Sequence, residues 1–91
     1  METNNHAFYV LECADGSFYA GYTNNLERRT ATHNAGKGAK YTKARLPVTV
    51  IHVEYFDTKQ EALRREYAFK QLTRKQKEQI VRGANDEVTK K

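Results

Sequence analysis

The sequence predicts an α+β domain, a small three-stranded antiparallel sheet flanked by helices in the order β-β-α-β-α-α. Three observations carry that prediction. Two aromatic-rich runs, "AFYVLEC" and "SFYAGY", face each other across Ala14-Asp15-Gly16, a hairpin signal in which glycine supplies the positive φ. A third run, "VTVIHVEYF" from Val48 to Phe56, is rich in β-branched and aromatic residues. Asn24 with Glu27, Thr58 with Glu61 and Thr73 with Gln76 each have the capping-box spacing that opens a helix.

Taken in order, the hairpin admits two registers. A three-residue loop with Gly16 in the left-handed bulge position sets Leu11 opposite Tyr19 and gathers Tyr9, Tyr19 and Gly21 on one face. A two-residue Asp15-Gly16 turn splits those tyrosines between faces. After the second strand the chain is expected to turn at Gly21 and enter a helix capped by Asn24 and ended by Gly36. The segment "KGAKYTKARLP" then reads as a basic loop closed by Pro47. The third strand carries apolar residues on both faces, so it is expected to be covered on both. Helices follow over Lys59 to Leu72 and Arg74 to Arg82. One domain, residues 6–82, accounts for all of this, and the polar segment 83–91 is expected to be a disordered tail.

A chain of 91 residues removes only about 60 to 65% of its unfolded surface from water. Its core is small, and polar residues aimed into it need a reason. Lys plus Arg number 16 against 11 Asp plus Glu, a net +5, and the excess is unevenly placed. Arg28, Arg29, Lys37, Lys40, Lys43 and Arg45 follow one another with no acidic residue between, interleaved with Tyr41 and glycines. Such a stripe suits a polyanion, and nucleic acid is the partner it points to. The single Cys13 cannot form an internal disulfide and fits a reducing compartment. The N-terminus lacks a signal-peptide pattern and no apolar run is long enough to span a membrane, so a cytoplasmic location is expected.

Some residues do not fit a plain core. Ala62, Leu63, Phe69 and Leu72 define an inward face on the predicted helix after the third strand, and Glu66 falls beside it. On spacing alone Glu66 pairs with Lys70 at the helix margin. In the first helix Leu26, Arg29, Thr30 and His33 form an inward stripe that places a guanidinium and an imidazole one turn apart. Two strand tyrosines, an Arg and a His on one helix and a Glu on another suit phosphodiester hydrolysis. A carboxylate can hold Mg²⁺, Arg can donate twice to phosphoryl oxygens, and Tyr can orient or deprotonate water once nearby cations lower its pKa. "GKGAKYT" lacks Walker A spacing, and His6, His33 and His52 lack metal-ligand spacing.

With those residues in view the chain resembles a GIY-YIG endonuclease domain, most of all the small stand-alone bacterial group of YazA and YhbQ. The likeness covers about His6 to Arg82. "AFY" at Ala7 to Tyr9 stands for the first motif and "YAG" at Tyr19 to Gly21 for the second. "NLERR" with Arg29, then His33, "GKGAKYT" from Gly36 to Thr42 and "EALRREYAFKQL" with Glu66 follow in order.

The resemblance implies a metal-dependent endonuclease acting on DNA, structure-selective or weakly specific, of use in DNA repair or recombination. It makes Glu66 the ligand of one Mg²⁺ or Mn²⁺ ion and Arg29 the phosphate contact. Tyr9 and Tyr19 line the site, one of them as general base or water-positioning group, with His33 assisting. Gly21 is the structural glycine, and Arg28, Lys37, Lys40, Tyr41, Lys43 and Arg45 are the nucleic-acid contacts. Three departures stand out: Ala7-Phe8 replaces Gly-Ile, Tyr22 stands where the nucleotide-excision nuclease subunit has a lysine, and Glu78 falls at a spacing often held by Asn, with Gln76 and Gln79 as substitutes. The competing expectation is a non-catalytic nucleic-acid-binding module or adaptor. Cutting both strands would call for a helper protein or a homodimer.

Overall fold

The computed structural model describes residues 5–90, with side-chain surroundings given as far as Arg82; the expectation of a disordered tail over 83–91 lies outside the residues so described. Three strands, β1 (His6–Glu12), β2 (Phe18–Thr23) and β3 (Thr49–Phe56), form one antiparallel sheet in the order β2-β1-β3. Helices α1 (Leu26–Asn34), α2 (Lys40–Lys43), α3 (Lys59–Lys70) and α4 (Arg74–Lys90) complete the chain. The α+β architecture is the expected one. It differs by one element, because α2 forms inside the stretch read as a basic loop, and α4 extends beyond the expected end at Arg82.

The hairpin takes the three-residue form. Leu11 pairs with Tyr19 and Tyr9 with Gly21, while Cys13 N–H donates to Ser17 O at 2.8 Å and Gly16 N–H to Cys13 O at 2.9 Å. Gly16 sits at φ 86°, the left-handed conformation that closes such a loop without a Cβ penalty. The Asp15 carboxylate accepts from the Ser17 amide and hydroxyl, which fixes the turn from its side chain.

Strand order decides what is buried. β1 lies in the middle, and Ala7 through Leu11 are all buried, whereas β3 occupies an edge and none of its residues is fully buried. The expectation that the third strand is covered on both faces therefore fails; the first strand holds that position. Phe8 and Val10 pack with Ala20 and Phe69 on one face, flanked by Leu72, Ile80 and Val81. Tyr9, Leu11 and Cys13 pack with Val48 on the other, flanked by Tyr19, Leu26 and Leu46. Each fully buried large side chain of this kind contributes roughly 1.5–3 kcal/mol of transfer free energy.

Helix boundaries follow side-chain caps. Thr58 accepts from the Glu61 amide at 3.1 Å, and Thr73 and Gln76 exchange hydrogen bonds at 3.0 and 3.2 Å, a reciprocal capping box. At α1 the cap is Asn25, accepting from Arg28 N–H at 3.1 Å, in place of the expected Asn24. Thr23 explains the one-residue shift: its hydroxyl accepts from Asn25 N–H and donates to Asn25 O, so it shapes the entry turn. The helix ends at Gly36, φ 79°, where Gly36 N–H donates to His33 O and Lys37 N–H to Thr32 O, a Schellman closure. The Asn34 amide then bonds both the N–H and the C=O of Val48, which pins the end of α1 to the start of β3.

Candidate active site

The inward stripe predicted on α1 is present: Leu26, Arg29 and Thr30 are half-buried and His33 is fully buried, while Glu27, Arg28 and Ala31 face solvent. It lies under the face of the sheet that carries Tyr9 and Tyr19. Tyr9 and its neighbour Gly21 across β2 explain each other. A Cβ on Gly21 would stand 2.6 Å from the Tyr9 oxygen and 2.8 Å from its Cζ, so the phenol lies flat over the glycine. The expected role of Gly21 as the turning point is corrected accordingly: β2 continues through it to Thr23, its φ is not positive, and its lack of a side chain serves Tyr9.

At the centre is a buried hydrogen-bond chain. The Tyr9 hydroxyl lies 3.1 Å from His33 Nε2, and His33 Nδ1 lies 2.8 Å from Thr42 Oγ1. The Tyr19 ring meets the same imidazole edge to face, with centroids 5.4 Å apart. Gly38 clears the far side, since a Cβ there would collide with His33 Nδ1. Burial, and then the charge of Arg29, push His33 below the usual imidazole pKa, so the ring is neutral at pH 7. Burial also raises the Tyr9 phenol, and the nearby Arg29 guanidinium offsets this only in part. The expected cation-lowered tyrosine pKa is thus reversed at Tyr9. Arg29 gains in basicity chiefly from the adjacent Tyr9 phenol, with a smaller contribution from Tyr19.

Glu66 stands on α3, which packs against β1 and β2. Its charge acts on the Tyr9 phenol, its side chain is 18% exposed, and its Oε2 accepts a 2.8 Å ion pair from Lys70. That is the pairing spacing alone suggests. Leu63, expected on the inward face, is instead 40% exposed. Among the described residues no cluster of three or more His, Cys, Asp or Glu could enclose a metal ion. A lone, partly exposed carboxylate still fits Mg²⁺, which keeps several waters and completes its shell with substrate phosphates.

The basic stripe divides in two. Arg28, Lys37, Lys40 and Lys43 are exposed and Tyr41 is 38% exposed. Arg45 is committed to the fold: it binds Asp15 at 3.1 Å and Tyr41 O at 2.8 Å, with its guanidinium 4.0 Å above the Tyr41 ring. These contacts give Arg45 a bracing role between α2 and the hairpin. Tyr41 stacks on Tyr19, centroids 6.1 Å apart at 24°. A groove of about 260 Å³ opens beside that stack along the β2 edge, lined by Phe18, Tyr19, Tyr41, Phe69, Lys70 and Lys77. Lys77 and Thr42 were not singled out in the sequence, because periodicity does not show which distant element a residue will approach.

The departures also have locations. Tyr22 sits on the opposite face of β2 from Tyr19 and bonds His6 Nδ1 at 2.9 Å. Glu78 pairs with Arg74 at 3.0 Å, and Gln76 is occupied as the α4 cap.

Comparison with known proteins places the chain. The family profile for the GIY-YIG catalytic domain matches residues 5–79. A UPF0213 protein of Bacillus velezensis is 65% identical over 81 residues, 89% of this chain and 82% of the relative. The UPF0213 protein YazA of Bacillus subtilis is likewise 65% identical, with the same coverage. Among solved structures, protein EF2693 of E. faecalis is 53% identical with a TM-score of 0.61, covering 92% of both chains. The UPF0213 protein BH0048 of Bacillus halodurans is 50% identical with a TM-score of 0.56, covering 84% of this chain and 81% of the other. Motif order, sheet topology and this profile agree, and the chain belongs to the GIY-YIG family.

Proposed function

We propose that this chain is a metal-dependent endonuclease that hydrolyses phosphodiester bonds in DNA. The single observation that supports this most is the Tyr9–His33 hydrogen bond at 3.1 Å beside the Arg29 guanidinium. It sets a proton donor and a neutral acceptor next to a phosphate-binding cation, in a place where a structural core would have been served by apolar groups.

In this reading Arg29, aided by the Tyr19 hydroxyl, holds the scissile phosphate and offsets the charge that grows on its oxygens. A water attacks phosphorus as Tyr9 accepts its proton, and Tyr9 passes its own proton to His33 Nε2. Burial holds the phenol above its usual pKa, which suits Tyr9 to a relay between water and imidazole. Glu66 would hold Mg²⁺ or Mn²⁺, and the ion, when bound, offsets charge on the phosphate and on the leaving oxygen. Lys40, Tyr41 and Lys43 on α2 and Lys70 and Lys77 along the groove carry the nucleic-acid backbone toward the site. A role in DNA repair or recombination fits a nuclease that selects structure over sequence.

One observation favours a second reading. The Glu66 carboxylate already has a cationic partner in Lys70 at 2.8 Å, as expected for a binding module that cuts nothing. End-labelled single-stranded, duplex and branched DNA, incubated with Mg²⁺, Mn²⁺ or chelator, separates the two. Metal-dependent cutting that vanishes in Glu66→Ala supports the nuclease. Equal salt-sensitive binding by both proteins, with no cutting by either, supports the binding module.

A further inference from the structure

The four residues of α2 divide sharply by exposure. Lys40, Tyr41 and Lys43 face solvent, and Thr42 alone turns inward, with no exposed surface. A buried hydroxyl has one proton to give and must satisfy it. Thr42 Oγ1 donates to Ala39 O at 2.9 Å, and a carbonyl oxygen can only accept.

That fixed role propagates along the chain of bonds. With its proton on Ala39 O, which also accepts the Thr42 and Lys43 amides, Thr42 Oγ1 offers His33 a lone pair, and the 2.8 Å contact then assigns the proton to Nδ1. A neutral imidazole carries one N–H, which leaves Nε2 bare. The Tyr9 hydroxyl is therefore the donor in the 3.1 Å bond to Nε2. Its oxygen keeps its lone pairs for the side of Arg29. With the other tautomer, Nε2–H would donate to Tyr9 and block the transfer of the phenol proton.

We propose that Thr42 is a positioning residue: it holds His33 as the Nδ1–H tautomer, so that Nε2 is the acceptor for the Tyr9 proton. The catalytic part of this proposal rests on the nuclease reading; the tautomer part stands on the hydrogen bonds of the buried, neutral ring. The step balances. The attacking water forms its bond to phosphorus and gives its proton to the Tyr9 oxygen. Tyr9 gives its own proton to Nε2, and the phosphorus bond to the leaving oxygen breaks with the electron pair on that oxygen. His33 ends as an imidazolium whose Nδ1–H still rests on Thr42.

Long-range ¹H–¹⁵N spectra of the His33 ring in the wild type, Thr42→Ser and Thr42→Val test it, beside single-turnover cleavage by the same proteins. The wild type and Thr42→Ser are expected to show a protonated Nδ1 and a bare Nε2. Thr42→Val, close in volume, is expected to shift the proton to Nε2, to lose about 10²-fold in cleavage rate, and to keep its DNA affinity. Should Thr42→Val fail to fold, Thr42→Ala carries the same test. A hydroxyl-free variant that is folded and retains the Nδ1–H tautomer overturns the proposal, as does one that cuts at the wild-type rate. If the wild type cuts nothing, the nuclease reading and the catalytic part fall together, while the spectra decide the tautomer independently.

Discussion

The phenol of Tyr9 lies directly over Gly21, the residue that faces it across the hairpin, with no room between them for a methyl group. This contact holds the hydroxyl at His33, so a change at an apparently inert glycine reaches the chemistry. Gly21→Ala is expected to cost about 1–3 kcal/mol of stability through overpacking and to shift Tyr9. In a Tyr9→Ala background the same substitution should be nearly neutral. A double-mutant cycle by urea denaturation measures this coupling, and additive effects would refute it.

His33 predicts a pH dependence of stability. Its folded pKa lies below the unfolded value of 6.5, because burial and Arg29 disfavour the imidazolium. The sign follows: above 6.5 both states leave the ring neutral and the contribution is fully present. As pH falls below that value the unfolded chain takes up a proton that the folded one resists. The loss has a slope of at most about 1.4 kcal/mol per pH unit and levels off below the folded pKa. Denaturant titrations between pH 7.5 and 5 should show the decline in wild type and a flatter profile in His33→Gln. The facing groups are Tyr9, Tyr19, Arg29 and Thr42.

Lysines and Arg45 should separate in binding experiments. Lys40→Ala and Lys43→Ala are each expected to lower the slope of log affinity against log salt by about 0.9 on duplex DNA or 0.7 on single strands. Arg45→Ala should lower the melting temperature and leave the slope unchanged, because its guanidinium is committed to Asp15 and Tyr41. Fluorescence anisotropy at several salt concentrations reads both.

Lys70 competes for the carboxylate of Glu66. Its removal in Lys70→Ala should lower the Mn²⁺ concentration needed for half-maximal cutting. Glu66→Ala should abolish cutting and spare or tighten binding by deleting a negative charge. An unchanged metal requirement in Lys70→Ala would mean that the ion pair does not hold back the site.

Local chemistry determined much of this protein. Gly16 closing the hairpin, Thr58 and Thr73 opening their helices and Gly36 ending α1 all act within a few residues, where backbone conformation and capping decide the outcome. The stripe of Leu26, Arg29, Thr30 and His33 was equally legible, because a helix repeats every 3.6 residues. The family's motifs, from Tyr9 to Glu66, stand in the sequence in plain order. Tertiary structure decided the rest. It put β1 in the centre of the sheet and turned Thr42 toward an imidazole nine residues earlier. It tied Arg45 to Asp15 across 30 positions and set Lys77 beside Tyr19. Such contacts depend on how strands order and helices dock, which is a property of the packed core; periodicity shows which face of an element is buried, and packing alone selects what that face meets.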